Sequence, residues 1–317
     1  MKVFVTRALP GEALARLADR PGVALEVSPH DRPASLEELR AGLADAEVAI
    51  TQLTDRLDAA LLDAAPRPRL VCNYAVGVNN VDLEAARARG ITVCNTPDVL
   101  TEASADMTWA LLLAAARRVV EGDRVVRSGG FTGWAPELLL GAAVAGRTLG
   151  VVGLGRIGAA VARRAAGFSM RVLYTSRSPK QVPWERVSLE ALLAEADFVC
   201  LHPPLTPETR HLIDAERLAL MKPTAYLINL SRGPVVDERA LVEALRAGEI
   251  AGAALDVFER EPALTPGLAE LERVVLAPHL GSATREAREA MAELVVANVE
   301  DLLEGRRPRT RVEPPRA

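Results

Sequence analysis

The sequence has little cysteine and little histidine, carries no large excess of charge and contains no long hydrophobic run. Its three cysteines, Cys72, Cys94 and Cys200, are odd in number and widely spaced in apolar runs, which argues against a disulfide framework or a metal site. A formal net charge of −4 leaves no basic surface for nucleic acid. No uncharged apolar run approaches the roughly 18 residues of a membrane span, and the opening MKVFVTR predicts a strand and not a leader. We therefore expect a cytoplasmic protein with no nucleic-acid and no membrane partner.

The most informative stretch is TLGVVGLGRIGAAVARR, residues 148–164. An apolar strand leads into Gly153, Gly155 and Gly158, after which small and apolar residues recur at helical spacing. In such a turn the first glycine permits a tight bend, the second lets the backbone approach a pyrophosphate, and the third lets the helix pack on the strand. We therefore predict dinucleotide binding here, with His202 lining the same edge after its own strand. The predicted contacts in this turn are Leu154, Gly155, Arg156, Ile157 and Gly158.

Strand and helix signals alternate through both halves of the chain, which predicts two parallel, doubly wound α/β domains. Residues 99–283 include the glycine-rich turn and are predicted to be a Rossmann domain that binds the dinucleotide. The amphipathic helix that follows Thr284 is long enough to return to the first half. Residues 1–98 and 284–317 are therefore predicted to form one discontinuous, flavodoxin-like domain that binds the substrate.

Residues 122–147 have weak periodicity, several glycines before Trp134, and considerable apolar bulk. Such side chains need another surface to cover them, so we predict a dimerisation arm and a homodimer. Just before the arm, the pattern predicts a long helix that is capped by Thr101 and has Ala110 on its buried face.

The residues after the second strand of the Rossmann domain bear on the choice of dinucleotide. Sites for NAD place an acidic residue on the ribose 2′-hydroxyl about 20 positions beyond the glycines. Here no Asp or Glu occurs in residues 159–184, and Ser176 stands at that place, followed by Arg177 and Ser178. A neutral Ser176 removes repulsion, and Arg177 with Lys180 could pair with a 2′-phosphate. We predict NADP(H) as the preferred cofactor, with NAD(H) as the alternative.

Hydride transfer to a carbonyl also requires a proton donor and a cation that holds the substrate. Among the four histidines, His279 is the best general acid, because it lies beside a glycine just beyond the end of a strand. Arg232, directly after the buried strand of INLSRGPVVD, can hold a carboxylate at two points. A carboxylate beside the histidine would stabilise the imidazolium and orient its ring. ALDVFEREP offers Asp256, Glu259 and Glu261, and the residues alone do not choose among them.

As a set, the runs GLGRIG, HPPLTPETRHLI, INLSRGPVVDERAL, GAALDVFEREP and APHLGSAT resemble the D-isomer-specific 2-hydroxyacid dehydrogenase family, in order and over nearly the whole chain. The resemblance implies that Arg232 binds the substrate carboxylate and that His279 is the acid/base. It also selects Glu261 over Glu259 as the partner of the histidine, because the family's intervals of 29 and 18 residues fit. Asp256 would then lie near the nicotinamide amide.

The loop NYAVGVNNVD of the first domain follows a strand, at the carboxyl edge where open α/β sheets bind ligands. The resemblance implies that Val76 and Gly77 offer backbone N–H groups to the substrate carboxylate and that Leu53 lines the substrate pocket. The further cofactor contacts that it implies are Thr101, Pro203, Leu230, Ser231 and Gly281.

Within the family, LYTSRSPK and GGFTGWAP are similar to the glyoxylate and hydroxypyruvate reductase (glycerate dehydrogenase) branch, in which Trp134 would reach toward the partner's active site. The implied reaction is reduction of glyoxylate or hydroxypyruvate to glycolate or D-glycerate. A phosphoglycerate or D-lactate dehydrogenase remains an alternative, although phosphoglycerate dehydrogenases usually have an acid where Ser176 stands. A non-enzymatic protein that senses the dinucleotide is an alternative of another class.

Overall fold

The computed structural model describes residues 1–65 and 67–313, which divide into two compact units. One unit combines Met1–Leu100 with the segment that starts at Ala283, and the other is Thr101–Ser282. The sequence predicts these boundaries at residues 98 and 284.

Strands and helices alternate through the first unit and through most of the second, as predicted. The strands are β1 (Lys2–Val5), β2 (Ala24–Val27), β3 (Val48–Thr51), β4 (Leu70–Asn73), β5 (Thr92–Cys94), β6 (Thr148–Val152), β7 (Arg171–Thr175), β8 (Glu185–Arg186), β9 (Phe198–Leu201), β10 (Tyr226–Asn229), β11 (Gly252–Leu255) and β12 (Val274–Leu276). The α-helices are α1 (Ala13–Ala18), α2 (Leu36–Ala44), α3 (Ala59–Ala64), α4 (Leu83–Ala88), α5 (Thr101–Ala116), α6 (Val119–Arg127), α7 (Arg156–Arg164), α8 (Leu189–Glu195), α9 (Ala215–Ala219), α10 (Glu238–Ala247) and α11 (Arg285–Leu303).

The first unit is a five-stranded parallel sheet with the order β2-β1-β3-β4-β5. Every residue of β3 and β4 is buried, which is typical of parallel strands that helices cover on both faces. The hydroxyl of Thr284 accepts a hydrogen bond from the Ala287 N–H and caps α11, which packs against α1 and β4. The C-terminal helix therefore belongs to the same unit as the N-terminal strands.

The second unit is a seven-stranded parallel sheet with the order β12-β11-β10-β9-β6-β7-β8. β6 lies between β7 and β9, so the direction of strand addition reverses beside β6. Open parallel sheets bind ligands beyond the carboxyl ends of the strands at such a point. The two-domain, parallel α/β architecture predicted from the sequence is confirmed.

Two predictions about the first helix of this unit are wrong. α5 begins with Thr101 already in the helix, so Thr101 is not its N-cap, and Ala110 is exposed. The buried side instead includes Thr108 and Trp109, whose ring stacks on Phe168 with the centroids 4.7 Å apart. Because α5 contacts α7 as well as β10 and β11, it is covered on more than one side. A helix of this kind has no single apolar stripe to reveal its buried face.

The predicted arm, residues 122–147, begins inside a helix that the sequence did not predict. α6 has no buried residue, and its valines Val119 and Val126 are 55% and 61% exposed. Ion pairs between side chains three or four positions apart, such as Arg127 with Asp123, stabilise it locally. Its valines at positions 119, 120, 125 and 126 do recur on one side of the helix, but none of them is buried within the chain.

Candidate active site

The glycine-rich turn between β6 and α7 has the geometry that a dinucleotide requires. Gly153 has φ +93°, and a Cβ there would lie 2.7 Å from the backbone nitrogen of Pro203. A Cβ on Gly158 would lie 2.2 Å from the carbonyl oxygen of Gly153, so the helix packs too closely for a side chain. At Gly155, the N-cap of α7, no atom lies within 4 Å of the Cβ position. A tight turn, an open approach and a close helix contact are the features that fit a pyrophosphate on the helix N-terminus.

The loop after β7, where the sequence predicts the ribose contacts, is held by its own hydrogen bonds. The Ser176 hydroxyl donates to the carbonyl oxygen of Ser178 at 2.7 Å. The guanidinium of Arg186 donates to the carbonyl oxygens of Ser176 and Arg177, at 2.9 and 3.4 Å. Arg177 itself is exposed, and none of the ion pairs among the described residues includes it. Sequence reasoning missed Arg186, because an arginine in a two-residue edge strand has no pattern to mark it.

His202 directly follows β9, next to the glycine turn. Its N–H donates to the Val152 carbonyl oxygen at 2.8 Å, and its side-chain Nε2 is buried with no hydrogen-bond partner in the described part of the chain. Burial lowers the pKa of His202 to about 4. A histidine that stays neutral near pH 7 cannot supply a proton there, which leaves this role to another residue.

Arg232 stands immediately beyond β10 on a turn that Asn229 organises. The Asn229 Oδ1 accepts from the N–H and the hydroxyl of Ser231, and its Nδ2 donates to the Arg232 carbonyl oxygen at 3.0 Å. The Arg232 guanidinium donates to the Ser231 carbonyl oxygen at 2.7 Å and forms no ion pair within residues 1–65 and 67–313. Burial lowers the pKa of Arg232, and the charge of Glu261 partly offsets this effect. Most of its N–H donors are therefore available to a ligand carboxylate.

His279 and Glu261 form a pair. The Nδ1 of His279 lies 2.9 Å from the Oε2 of Glu261, and the other oxygen of Glu261 accepts from the Phe258 N–H at 3.0 Å. Burial raises the pKa of Glu261, but the hydrogen bond and charge of His279, the Phe258 N–H and the charge of Arg232 outweigh it, so the pKa is below its ordinary value. Glu261 is therefore an ionised acceptor near neutral pH. Because Glu261 binds the Nδ1 of His279, the Nε2 of the same ring is available to a substrate.

The three acidic residues of ALDVFEREP have three different partners. Asp256 is buried, and its two oxygens accept from the N–H groups of Leu280 and Gly281 at 2.6 and 2.7 Å. Burial raises the pKa of Asp256, and those two hydrogen bonds oppose the rise. Glu259 pairs with the Nε2 of His211 at 2.7 Å. Only Glu261 reaches His279, and Asp256 instead holds the backbone turn on which His279 stands.

The remaining predicted cofactor residues of the second unit follow strand ends or begin α5. Pro203 and Ser231 are buried, and Leu230 is half-buried. Gly281 lies in the turn held by Asp256, and a Cβ there would lie 3.7 Å from the Ser104 hydroxyl of α5, the helix that Thr101 begins. Their contacts with a dinucleotide stay predictions.

In the first unit, two loops at the carboxyl edge of the sheet are joined by asparagines. The Nδ2 of Asn73 donates to the Gly77 carbonyl oxygen and to the Oδ1 of Asn80, at 3.0 and 3.1 Å. The Nδ2 of Asn80 donates to the carbonyl oxygen that directly precedes Leu53, at 3.1 Å. Leu53 and the loop containing the exposed Val76 are therefore held together at this edge. Their contacts with a substrate stay predictions.

Comparison with known proteins places the chain in a family. The family model for the NAD binding domain of D-isomer specific 2-hydroxyacid dehydrogenases matches residues 109–281. The glyoxylate reductases of Thermococcus kodakarensis and Pyrococcus furiosus are 51% and 50% identical to this chain, over 98% of it and 96% and 95% of their own lengths. The chain belongs to the D-isomer-specific 2-hydroxyacid dehydrogenase family.

Solved structures agree with this assignment over the whole chain. A protein of Thermus thermophilus is 53% identical, with a TM-score of 0.94 over 99% of this chain and 100% of its own. The NADPH-dependent glyoxylate/hydroxypyruvate reductase of Sinorhizobium meliloti, solved with NADP and malonate, is 34% identical, with a TM-score of 0.86 over 98% and 96%. In the part of the chain that the structure describes, no helix is long and apolar enough to cross a membrane.

Proposed function

We propose that the protein reduces glyoxylate, and by the same chemistry hydroxypyruvate, to the 2-hydroxy acid. The observation that carries the proposal is the 2.9 Å contact between His279 and Glu261, in the same unit as the half-buried Arg232, which forms no ion pair among the described residues. An imidazole held by an ionised carboxylate, together with a free guanidinium, is what reduction of a 2-oxo acid needs. The curated relatives at about 50% identity, named glyoxylate reductases, support the same reaction.

The glycine turn between β6 and α7 would hold the pyrophosphate of a nicotinamide dinucleotide. When bound, this cofactor supplies a hydride to C2 of the substrate. On one side of it, Pro203 follows β9, the neighbour of β6, and Leu230 and Ser231 follow β10, the next strand of the sheet. Asp256 remains our candidate for the nicotinamide amide. The open space at Gly155 is what lets the backbone N–H groups approach the phosphates.

The substrate carboxylate is bound by Arg232. Its planar guanidinium matches a carboxylate at two points, and partial burial strengthens the interaction because fewer water molecules compete for it. The same charge lies beside the carbonyl group of a 2-oxo acid and stabilises negative charge that develops on the carbonyl oxygen. In the first unit, the N–H groups of Val76 and Gly77 and the side chain of Leu53 remain our candidate contacts with the substrate.

The proton comes from His279. Hydride addition to C2 converts the carbonyl oxygen to an alkoxide, and the Nε2–H of the imidazolium donates its proton to that oxygen. Glu261 accepts the hydrogen bond of Nδ1–H, which fixes the ring and stabilises its protonated form. The neutral imidazole that remains then takes a proton from solvent.

We propose NADPH as the preferred donor, because Ser176 stands where an acidic residue would repel a 2′-phosphate, and Arg177 is exposed beside it without an ion pair in the described residues. The guanidinium of Arg186 braces this loop through its carbonyl oxygens. The similar reductase from Sinorhizobium meliloti, at 34% identity, is NADPH-dependent, which supports the same preference.

The direct test is consumption of NADPH by the purified protein with glyoxylate, hydroxypyruvate and pyruvate in turn. We expect turnover with glyoxylate. Binding of NADPH without turnover of any 2-oxo acid would contradict the proposal and favour a dinucleotide-sensing protein.

A further inference from the structure

Glu238 is a buried carboxyl group that the proposed reaction leaves without a role. It is the first residue of α10 and is 1% exposed, and it forms no ion pair among the described residues. The helix does not need it as a cap, because Asp237 already accepts from the N–H groups of Arg239 and Ala240. Burying a carboxyl group is unfavourable unless strong hydrogen bonds compensate for the lost water.

Both oxygens of Glu238 bind the loop that carries Glu261. The Oε1 accepts from the Glu259 N–H at 2.6 Å, and the Oε2 accepts from the Thr265 hydroxyl at 2.6 Å. These two donors lie on either side of Glu261 in the sequence. The loop is therefore held at both ends, with Glu261 between the two attachment points.

The same loop also packs on the turn that follows Arg232. A Cβ on Gly233 would lie 1.9 Å from the carbonyl carbon of Phe258, so only glycine allows this approach. His211, which binds the Glu259 carboxylate, donates its backbone N–H to the Pro234 carbonyl oxygen at 2.7 Å. The segment between Arg232 and Glu238 and the loop around Glu261 therefore form one packed layer.

We propose that Glu238 is a positioning residue, which sets Glu261 at its distance from His279 and relative to Arg232. The inference rests on the function proposed above but concerns a residue that contacts neither substrate nor cofactor. A carboxylate suits the position because it accepts two hydrogen bonds at once, and bonds to a charged acceptor are about twice as strong as neutral ones. Loss of either bond frees one end of the loop and loosens the contact between Glu261 and His279.

The test uses three variants in the full-length protein. Thr265→Val removes one donor and preserves the shape of the side chain, and Glu238→Ala removes both acceptors. Glu238→Gln is the conservative change, because its amide oxygen can still accept from Glu259 and its NH2 group can donate to the Thr265 oxygen. Glu243→Gln, at an exposed position of the same helix, is the matched control.

We expect kcat for glyoxylate to fall by roughly tenfold or more in Glu238→Ala and by about threefold in Thr265→Val. Glu238→Gln should retain most of the wild-type kcat. The affinity for NADPH should stay unchanged. The alkaline limb of the kcat/KM profile should also move to lower pH, because Glu261 supports the imidazolium less well. The other charges near the pair, Asp256 beside His279 and Arg232 beside Glu261, are the same in every variant. A purely structural role would lower activity without moving this limb.

Hydrogen exchange supplies a readout that does not depend on turnover. Amides of residues 258–265 should exchange faster in Thr265→Val and Glu238→Ala than in the wild type and in Glu243→Gln. Folded variants with wild-type exchange and a wild-type alkaline limb would overturn the inference. If the wild-type protein lacked turnover, the proposed reaction would fail and the exchange data alone would decide the role of Glu238.

Discussion

At the scale of single residues, the acidic partner of His279 shows what the sequence can and cannot determine. Three acidic residues follow β11 within six positions, and local pattern gives no reason to choose among them. The structure separates them by their partners: Asp256 binds backbone N–H groups, Glu259 binds His211, and Glu261 binds His279. The spacing taken from the family resemblance selects Glu261, and the geometry now supports that choice. Glu238 could not be found in this way, because its role depends on Glu259 and Thr265, which are distant in sequence.

The first prediction concerns the charge of Glu261. Its pKa lies below the ordinary value, so it is ionised at neutral pH and stabilises the imidazolium of His279. Glu261→Gln keeps the size of the side chain and removes the charge. We expect kcat/KM for glyoxylate to fall by about tenfold or more, while His279→Ala loses about a hundredfold to ten thousandfold, the usual worth of general acid catalysis. Steady-state kinetics from pH 5 to 9 measure both, and the alkaline limb should move to lower pH in Glu261→Gln.

The control is binding of NADPH, which both variants should retain, because neither side chain belongs to the glycine turn. Glu270→Gln, an exposed substitution in the same unit, should keep wild-type kinetics. Wild-type turnover by His279→Ala would remove this residue from the role of acid.

At the scale of elements, most strands could be predicted because parallel strands covered on both faces are continuous apolar runs. Helices are harder to predict from the sequence where the buried residues do not form a single apolar stripe. α5 is covered on more than one side, which explains why the sequence pattern puts Ala110 on the wrong face. α6 lies within a glycine-containing segment whose wider pattern is weak, and its valines are not buried within the chain. The cap of α11 was predicted correctly, because Thr284 acts through the local N–H of Ala287.

The second prediction concerns Arg177, in the loop between β7 and β8, and the choice between NADPH and NADH. Arg177→Ala removes the cation proposed to pair with a 2′-phosphate. A hydrogen bond to a charged group contributes about 1.5–3 kcal/mol, so KM for NADPH should rise by about tenfold to a hundredfold. KM for NADH should change little, because NADH has no phosphate at that position. Initial rates with each cofactor at saturating glyoxylate measure the ratio of KM for NADPH to KM for NADH.

Arg171→Ala is the matched control for this experiment. Arg171 is the exposed first residue of β7, the strand that precedes the Arg177 loop, and it pairs with Glu185 and Glu195. It should leave the ratio of the two KM values unchanged. An equal rise in both KM values in Arg177→Ala would indicate stacking on adenine, and not recognition of a phosphate.

The C-terminal segment after α11 carries a prediction on pH and stability. Asp301 accepts hydrogen bonds from Arg309 and Arg306, which outweigh the effect of burial and lower its pKa to about 2. A carboxylate whose folded pKa is depressed stabilises the protein above its unfolded pKa of about 3.9, and this contribution disappears as the pH falls toward 2. Since both arginines are half exposed, we expect Asp301→Asn to cost only about 1 kcal/mol at pH 7.

Thermal unfolding at pH 7, 4 and 3 measures this effect. The melting temperature of Asp301→Asn should be lower than that of the wild type at pH 7, and the two should converge as the pH falls. Asp19→Asn is the control, since Asp19 is exposed and has no ion pair in the described residues. A difference that stays constant with pH would show that the charge of Asp301 is not the cause.

At the scale of the whole molecule, the order of the motifs is more informative than any one of them. On its own, a glycine-rich turn predicts only that a nucleotide binds, and a single histidine predicts no function. The glycine turn, the arginine, the glutamate and the histidine follow four strands of one sheet, so their order along the chain predicts that they meet at one edge. The order of motifs along the chain does not predict the oligomeric state, because that state depends on a surface that a second chain covers.

The last prediction concerns this surface, in the part of the predicted arm that lies beyond α6. Phe131, Trp134 and Leu140 are 53%, 84% and 65% exposed, which is unusual for three large apolar side chains within ten residues. We propose that a second copy of the chain covers them, so the protein should sediment at twice the chain mass of 33.9 kDa at micromolar concentration. Trp134→Ser with Leu140→Ser should shift the equilibrium toward the monomer, because burying two such side chains stabilises an interface by several kcal/mol. Leu36→Ser, at an exposed position of the first unit, should leave the dimer intact. A wild-type protein that sediments as a monomer would leave the apolar arm without its proposed partner, and Trp134 could then have no role in a neighbouring active site.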